Sequence, residues 1–463
     1  MRRTLTLRHL MLFAVEDAAI LGAVLAAMTL RFGLDVRYLL GDRAEWLRIA
    51  AVVVVTQLSF YYHDLYELPV LNSRRELFVR LLQALGVASI FLAFAYYLYP
   101  DLILGRGIFV LFVAIVMAVV VLWRLGYTAV LSSRGLSVGI LLVGAGDLAR
   151  KVYRETQARR TLGFHVVGCL AADPGRERDG SPREDMPPVL GGFDALREVA
   201  ARPDVDRVVV AIGERRGKFP VRDLLELRLT GKPVLDGCAF YEELTGKMLV
   251  EHLRPSQIIF SEGFSKHRFT LALKRAVDFV ASAVGLVVSA PVWAVVPLAI
   301  KLDSPGPVFF RQERVGEGGR TFEVMKFRSM RADAEQGTGP VWARDGDDRV
   351  TRVGRFIRKT RIDEIPQLIN VLRGEMSFVG PRPERPYFVE RLTREIPYYV
   401  QRHTVKPGVT GLAQVKYSYG STVEDALEKL RYDLYYIKRM GFWMDLSIIF
   451  ETVKVVLFGK GAK

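Results

Sequence analysis

Four long apolar runs in the first third of the chain limit what it can fold into. They cover residues 10–30, 46–62, 81–99 and 108–122. Each run approaches the roughly 20 residues that an α-helix needs to cross a bilayer. Half of all residues are hydrophobic, which fits a chain with a membrane component. We therefore predict a bundle of four transmembrane helices over residues 1–135.

Charged residues within and beside these runs bear on how the bundle is arranged. Glu16 and Asp17 interrupt the first run, and we expect them to face other helices or lie near an interface, because a carboxylate facing lipid is costly. Basic residues precede the first run, separate the second from the third and follow the fourth, where Arg124 stands. This pattern predicts that both ends of the bundle are cytosolic. The loop after the first run is also rich in arginine and does not fit the pattern.

The formal net charge of +15 narrows the classes of partner. A basic excess of this size suits phosphorylated substrates or anionic lipids. Nucleic acid fits least, because the positive charge lies among long apolar runs, and we expect no nucleic-acid partner. The two cysteines, Cys169 and Cys238, show no metal-ligand spacing, which predicts reduced thiols in a cytosolic environment.

A buried strand, a glycine turn and a helix are predicted by the stretch LSVGILLVGAGDLARKVYRE. Gly144 and Gly146 would let backbone N–H groups approach a phosphate, and Asp173 ends the next predicted strand, where a ribose-binding acid can lie. We predict a Rossmann-like α/β domain over residues 136–262. The alternative for the glycine turn is simple packing of the strand against the helix.

A fifth apolar segment, Phe279–Ile300, is long enough to span a membrane but has basic residues on both sides. Pro291 cannot donate a backbone hydrogen bond and should bend the helix, and Ser289 can satisfy a carbonyl that the bend releases. We predict a re-entrant helix over about residues 274–301, which enters one leaflet and returns. The alternative is an ordinary kinked fifth span.

Arginines crowd the region after this segment, and two adjacent carboxylates, Asp363 and Glu364, lie among them. Arginine holds phosphate oxygens bidentately, so residues such as Arg328 are candidates for binding phosphate. The acids could simply begin a helix, because Thr360 and Asp363 have capping-box spacing. They could also act chemically, one carboxylate as a nucleophile and its neighbour as a Mg²⁺ ligand beside a diphosphate.

Five motifs carry a resemblance that covers the chain from about residue 274 to the end. They are SPGPVFFRQERVG, FEVMKFRSM, RVTRVGRFIRKTRIDEIPQLINVLRGEMSFVGPRPE, RHTVKPGVTGLAQV and YDLYYIK. The series resembles the bacterial sugar transferases, the monotopic phosphoglycosyl or polyprenyl-phosphate hexose-1-phosphate transferases. The layout resembles the large members, which implies a membrane helical bundle, a Rossmann-like domain and a mainly helical α/β transferase domain with a re-entrant helix, here over residues 263–463.

The resemblance implies a reaction and a set of site residues. A sugar-1-phosphate would move from a UDP-sugar, with glucose or galactose expected, to undecaprenyl phosphate, as the first membrane step of exopolysaccharide or other surface glycan synthesis. Asp363 would form a covalent phosphosugar intermediate, and Glu364 would position Mg²⁺. The family's phosphate-holding basic positions fall on Lys326, Arg358 and Arg382. One departure is Arg361, where the family pattern has a small serine.

The resemblance also implies a multi-pass protein of the bacterial inner membrane with its soluble domains in the cytoplasm. The layout would suit a homodimer. Two other functions stay open on the sequence. One is a catalytically idle membrane scaffold that senses nucleotide-sugar, against which the intact Asp363–Glu364 pair argues. The other is a membrane-bound sugar-nucleotide dehydratase, which would need a second Rossmann domain that the sequence after Lys274 does not predict.

Overall fold

The computed structural model divides the chain into two compact units, Met1–Phe240 and Tyr241–Lys463. The residues that the structure describes are 2–33, 43–63, 65, 74–103, 106–132, 137–159, 162–172, 186–212, 219–261, 263–331, 334, 349–417, 420 and 422–458.

The first unit begins with four long helices, whose inward faces share one apolar core. The helices are α1 (Arg2–Phe32), α2 (Arg43–Tyr62), α3 (Arg74–Leu98) and α4 (Arg106–Ser132). Helix α1 packs on α4, and α2 packs on α3. Within the described ranges, only the parts of α3 and α4 over residues 77–98 and 107–124 are long and apolar enough to cross a membrane as single helices. All four predicted helices are therefore present, and two of them meet the criterion for a span.

A buried ion pair joins the first and last helices of this bundle. Glu16 is fully buried, and its Oε1 accepts a hydrogen bond of 2.7 Å from Nε of Arg124. The same guanidinium also donates to the backbone carbonyl of Leu65. The expectation that Glu16 faces other helices is confirmed. The interpretation of Arg124 as a charge flanking the bundle is wrong, because its side chain lies inside the bundle, where an acid partner lowers the cost of burying it.

A five-stranded parallel sheet follows, with strand order β3-β2-β1-β4-β5. The strands are β1 (Val138–Val143), β2 (Phe164–Ala171), β3 (Val189–Gly192), β4 (Arg207–Val210) and β5 (Val234–Asp236). The helices are α5 (Asp147–Ala158), α6 (Leu196–Ala200), α7 (Val221–Leu229) and α8 (Gly237–Thr245). The central strands are runs of buried aliphatic residues, as expected for a parallel sheet. This order and the parallel pairing confirm a Rossmann-like α/β fold.

The boundary of this α/β domain lies earlier than residue 262. Met248, Val250 and Leu253 belong to the core of the second unit, together with Leu430. The backbone N–H of Met248 also donates to the carbonyl of Arg431 at 3.0 Å. The sequence prediction missed this because the partners of the segment, such as Leu430 and Arg431, lie far along the chain.

The second unit is mainly helical, and its described strands form two small sheets. Its helices are α9 (Pro255–Ile259), α10 (Arg268–Val288), α11 (Ala290–Asp303), α12 (Arg352–Lys359), α13 (Gln367–Arg373), α14 (Pro386–Glu395), α15 (Leu412–Lys416), α16 (Val423–Arg439) and α17 (Phe442–Phe458). Strands β6 (Phe309–Val315) and β7 (Thr321–Phe327) form an antiparallel hairpin, whereas β8 (Ser377–Val379) and β9 (Gly408–Thr410) pair in parallel.

Helices α10 and α11 form a bent pair, with an angle of 61° between them. Helix α10 ends at Val288, and Pro291 lies in the first turn of α11, where its missing N–H costs no hydrogen bond. The hydroxyl of Ser289 donates to the carbonyl of Leu286 at 3.2 Å. The indole N–H of Trp293 donates in turn to the Ser289 hydroxyl at 3.3 Å. The bend therefore has hydrogen-bond partners built from its own residues.

Both outer ends of the bent pair are bound within the second unit. On α10, Nζ of Lys274 donates a hydrogen bond of 2.9 Å to the carbonyl of Val379, and a carboxylate oxygen of Asp278, midway along the helix, accepts one of 2.9 Å from the backbone N–H of Phe378 within β8. At the end of α11, a carboxylate oxygen of Asp303 accepts a bond of 3.0 Å from the N–H of Val353, in the first turn of α12. The apolar middle of the pair carries exposed side chains such as Val287.

Candidate functional site

The two adjacent carboxylates lie on a short turn between two helices. After α12 the backbone of Arg361 is left-handed, with φ of 58°, and a 3₁₀ turn follows over Ile362–Glu364. Helix α13 begins only at Gln367. The predicted capping box does not form, because the hydroxyl of Thr360 donates to the carbonyl of Phe356 at 2.9 Å. The acids therefore precede the helix and are held by other contacts.

Glu364 is fixed by two basic side chains from distant parts of the sequence. Its Oε1 accepts hydrogen bonds of 2.8 Å from Nζ of Lys326 and 2.8 Å from Nη2 of Arg382. Its Oε2 lies 3.9 Å from Nη1 of Arg361. Burial opposes ionisation of this carboxyl, but the charges of Arg382, Lys326 and Arg361 outweigh it and hold its pKa well below the ordinary range. Glu364 is thus an ionised, immobilised carboxylate.

Asp363 differs from its neighbour in both contacts and charge state. Its side chain is only 7% exposed, and its Oδ1 has no hydrogen-bond partner among the described residues. Burial raises the pKa of Asp363 above the ordinary value of an aspartate, although the charges of Lys326 and Arg358 partly oppose the rise. Two neighbouring carboxyl groups whose pKa values move in opposite directions have different chemical roles. Of the two carboxyl groups, Asp363 is the one with an oxygen, Oδ1, that can react with or bind a ligand.

Lys326 and the carboxylate turn are held together by an asparagine that the sequence analysis missed. Asn370, on α13, is almost fully buried. Its Oδ1 accepts the backbone N–H of Met325 at 3.1 Å, and its Nδ2 donates to the carbonyl of Glu323 at 2.7 Å. These bonds fasten the strand that carries Lys326 to the helix that follows the acids. The only signal in the sequence is a polar residue within the apolar stripe of that helix.

Arg382 depends on a second buried pair that the sequence analysis did not identify. Nη2 of Arg402 donates to the backbone carbonyl of Arg382 at 3.0 Å. The guanidinium of Arg402 also donates to Oδ2 of Asp433 at 3.1 and 2.8 Å, and to the hydroxyl of Tyr399 at 2.7 Å. Both residues occur in the motifs quoted above, but nothing in the sequence indicates that they pair.

Arg328 does not join the carboxylates, which corrects its interpretation as a phosphate-binding residue. Its guanidinium is buried and donates to the backbone carbonyls of Pro305 and Ser304 at 2.8 and 2.7 Å. It also donates to the Ser304 hydroxyl at 3.0 Å. These acceptors lie just beyond the C-terminal end of α11, where a cation is favourable. Arg328 therefore closes the end of the bent helix pair.

The glycine turn of the α/β domain is shaped by packing. Gly144 has φ of 117°, and a Cβ atom there would lie 2.6 Å from the carbonyl oxygen of Ala211. This close approach and the positive φ explain why position 144 is glycine. Gly146 has open space around it and precedes Asp147, the first residue of α5, whose carboxylate pairs with Nζ of Lys151 at 3.0 Å. Asp173, the expected ribose-binding acid, lies outside the described residues.

The donor atoms of the carboxylate turn fit one divalent cation of the Mg²⁺ type. Among the described residues there is no cluster of three or more potential protein ligands. Mg²⁺, however, is commonly held by one or two carboxylates together with substrate phosphates. Oδ1 of Asp363 is buried without a partner in the described part of the chain, and Oε2 of Glu364 has only a long contact to Arg361. One or two protein oxygens are thus suited to such an ion.

The site combines a buried carboxylate pair with lysine and arginine next to a bent apolar helix pair, which suits phosphoryl transfer at a membrane surface. A family model described as bacterial sugar transferase matches residues 269–459. A second model, described as a CoA-binding domain, matches residues 62–218. The chain belongs to the bacterial sugar transferase family.

Three relatives illustrate the range within this family. The chain is 43% identical to a UDP-N-acetylgalactosamine-undecaprenyl-phosphate N-acetylgalactosaminephosphotransferase of Aeromonas hydrophila, over 52% of this chain and 56% of the relative. It is 36% identical to an undecaprenyl-phosphate glucose phosphotransferase of Komagataeibacter xylinus, over 71% of this chain and 61% of the relative. It is 33% identical to a UDP-glucose:undecaprenyl-phosphate glucose-1-phosphate transferase of Xanthomonas campestris pv. campestris, over 73% of this chain and 70% of the relative. The chain thus spans less than two thirds of the length of the first two.

Proposed function

We propose that this chain transfers a sugar-1-phosphate from a UDP-sugar to undecaprenyl phosphate, with Asp363 as the nucleophile. The observation that carries the proposal is the division of labour within the carboxylate pair. Glu364 is held by Lys326 and Arg382, whereas Oδ1 of Asp363 is buried without a hydrogen-bond partner among the described residues. A carboxylate that few donors solvate, in a field of basic groups, is suited to attack an electrophilic phosphorus.

The proposed reaction has two displacement steps at the phosphorus that bears the sugar. In the first, an Asp363 oxygen bonds to this phosphorus, the bond to the bridging oxygen of the diphosphate breaks, and UMP leaves. In the second, an oxygen of undecaprenyl phosphate bonds to the same phosphorus, and the bond to Asp363 breaks. The carboxylate is regenerated, and the product is an undecaprenyl diphosphate sugar. No external oxidant or proton source is needed, because charge passes from nucleophile to leaving group.

The basic residues would stabilise the negative charge of the diphosphate during both steps. Lys326 and Arg382 already converge on Glu364, and Arg358 acts on Asp363. We propose that Glu364 would hold a Mg²⁺ ion, with Asp363 nearby. When bound, such an ion would neutralise phosphate oxygens and favour departure of UMP. Glu364 also keeps Lys326 and Arg382 within reach of the phosphorus.

The bent helix pair supports a re-entrant arrangement, in which the site lies at the face of one leaflet. Lys274, in the second turn of α10, donates to the carbonyl of Val379, and Asp303 at the end of α11 accepts from the N–H of Val353, so both ends of the pair are bound to the same folded unit. A pair whose two ends are bound to one compact unit does not place them on opposite faces of a bilayer. We propose that this face is cytoplasmic, because UDP-sugars are made in the cytosol. The exposed apolar side chains between the ends would then lie among lipid tails.

The donor class we propose is a UDP-hexose for surface-glycan assembly. Glucose or galactose is the expectation from the sequence, and the relatives are named for glucose and N-acetylgalactosamine. All three sugars therefore belong in the first assay. The protein, in lipid nanodiscs with Mg²⁺ and undecaprenyl phosphate, should release UMP from at least one of the three UDP-sugars.

Asp363→Asn should abolish UMP release, because an amide oxygen is a poor nucleophile. The matched control is Glu390→Gln, which neutralises an acid whose side chain is 70% exposed on α14 and should leave the rate unchanged. UMP release by Asp363→Asn at a rate near that of the wild type would contradict the nucleophile. A wild-type protein inactive with every UDP-sugar would contradict the reaction itself.

A further inference from the structure

Arg361 has an unusual backbone conformation directly before the carboxylate turn. Its φ of 58° and ψ of 14° are left-handed, and Tyr398 is the other non-glycine residue with positive φ in the described part of the chain. This conformation is strained for a residue with a Cβ atom and is found mostly at glycine or asparagine. Strain of this kind persists where the surrounding structure imposes it, often at functional sites.

The turn itself imposes the conformation. The N–H of Arg361 donates to the carbonyl of Arg358 at 3.2 Å, which ends α12. The carbonyl of Arg361 then accepts the N–H of Glu364 at 3.2 Å, which closes the turn. Glycine would satisfy both bonds without strain, because both partners are backbone groups. The turn therefore accounts for the left-handed backbone but not for an arginine side chain at this position.

The side chain of Arg361 lies on the second oxygen of Glu364. Its Nη1 is 3.9 Å from Oε2, whereas the two close bonds from Lys326 and Arg382 both reach Oε1. Glu364 is thus already held without Arg361, and the longer contact adds little to its position. The Arg361 side chain remains 24% exposed, so a ligand that enters from solvent can reach it.

The charge around the carboxylate pair has the sign that a diphosphate needs. The basic side chains that act on the pair are Lys326, Arg358, Arg361 and Arg382. They outnumber the two carboxylates, so the site is positive before any divalent ion binds. Arg361 is the one among them that directly adjoins the turn carrying the nucleophile. Its planar guanidinium can hold two phosphoryl oxygens at once.

We propose that Arg361 is a donor-binding residue, whose guanidinium holds phosphoryl oxygens of the UDP-sugar diphosphate beside Asp363. This inference rests on the proposed function and adds a specific contact to it. From the left-handed backbone its side chain extends to within 3.9 Å of Glu364, which places a cation close enough to act on Asp363. The alternative is a purely structural role, in which Arg361 only steadies Glu364.

Two replacements separate these roles. Arg361→Gly removes the charge and relieves the backbone strain, whereas Arg361→Lys keeps both the charge and the strain. If Arg361 binds the donor, Arg361→Gly should raise the KM for UDP-sugar by roughly ten- to a hundredfold, the usual effect of losing a charge-assisted hydrogen bond. The KM for undecaprenyl phosphate should stay within about twofold, and the melting temperature should be unchanged or higher. Arg361→Lys should recover part of the donor affinity.

Inhibition by UDP and by uridine shows whether Arg361 contacts the diphosphate or the nucleoside of the donor. Arg361→Gly should weaken inhibition by UDP, which carries the diphosphate, and leave inhibition by uridine unchanged. Arg394→Ala is the control for net charge, because this side chain is 75% exposed on α14, and it should leave both KM values unchanged.

Three results would overturn the assignment. They are a donor KM within about twofold of wild type in Arg361→Gly, a rise confined to the acceptor KM, or a rise in both KM values with a lower melting temperature. A wild-type protein without UMP release would instead refute the proposed function, and the assignment would fall with it.

Discussion

Asp433→Asn should both destabilise the second unit and slow the enzyme, because Asp433 is the acid partner of a buried arginine. Arg402 donates two hydrogen bonds to Oδ2 of Asp433, at 3.1 and 2.8 Å, and both side chains are almost completely buried. A guanidinium does not lose its proton in a protein. With the carboxylate replaced by an amide, Arg402 would keep its charge without an anionic partner.

The size of the effect follows from the burial of this pair. Removing one partner of a buried ion pair lowers the free energy of unfolding by about 3–5 kcal/mol. For a unit of this size, that loss lowers the melting temperature by roughly 10 °C. The effect on catalysis comes through the bond of 3.0 Å from Arg402 to the carbonyl of Arg382, whose guanidinium holds Glu364. A misplacement of about 1 Å at that point lowers kcat/KM by up to roughly a hundredfold.

Thermal unfolding in nanodiscs and UMP release measure the two effects separately. The double replacement Arg402→Met with Asp433→Leu removes both charges and should restore most of the stability. It should not restore activity, because the Arg382 carbonyl still lacks its donor. Glu390→Gln, which breaks an exposed pair with Arg394, is the control and should change stability by less than about 0.5 kcal/mol. A melting temperature unchanged by Asp433→Asn, or full activity in the double variant, would refute the reasoning.

Three further predictions concern other described residues. Burial lowers the pKa of His403 from 6.5 to about 4. The free energy of unfolding should therefore fall by about 3 kcal/mol as the pH drops from above 6.5 to 4, because the unfolded chain takes up the proton first. His403→Phe should flatten this dependence in melting curves. Arg328→Lys should lower the melting temperature without raising the KM for UDP-sugar more than about twofold; a tenfold rise at unchanged stability would restore its phosphate role. Gly144→Ala should lower the free energy of unfolding by about 3 kcal/mol, because position 144 has a positive φ and a Cβ atom there would clash with the carbonyl of Ala211. Gly146→Ala should be tolerated, because there is open space around Gly146. Equal effects of the two replacements would contradict the packing role of Gly144.

Local sequence signals predicted the elements whose structure depends on neighbouring residues. The aliphatic run before Gly144 predicts a buried parallel strand, and the glycine turn predicts a helix after it; β1 and α5 follow that order. The apolar runs likewise predict the four helices of the bundle. The proline at position 291 indicates a bend in the fifth apolar segment, and α10 and α11 meet there at 61°.

Contacts between distant residues could not be predicted in the same way. Arg328 and Arg382 look alike in the sequence, yet one closes the end of α11 and the other holds Glu364. The direction of a side chain at the end of a strand or in a loop depends on elements far away in the sequence. The capping box at Thr360 failed for a different and local reason, because the Thr360 hydroxyl donates to a carbonyl in the last turn of α12.

The carboxylate pair was prominent in the sequence, but the different roles of its members were not. Asp363 and Glu364 are adjacent and chemically similar, and only the folded chain distinguishes them. Lys326 and Arg382 both bind Glu364, and neither makes a described hydrogen bond to Asp363. Of the residues that hold these cations in place, Asn370 was marked only as a polar residue within an apolar stripe, and nothing in the sequence indicated the pairing of Arg402.

The most direct test of the central claim is to trap the sugar phosphate on the protein. The wild type is incubated with UDP-sugar and Mg²⁺ without undecaprenyl phosphate, quenched rapidly in acid and digested for mass spectrometry. We expect one phosphosugar on the peptide that contains Asp363, absent from Asp363→Asn and lost when undecaprenyl phosphate is added before the quench. An adduct on another residue, or turnover by a wild type that never carries an adduct, would contradict the role of Asp363 as the nucleophile.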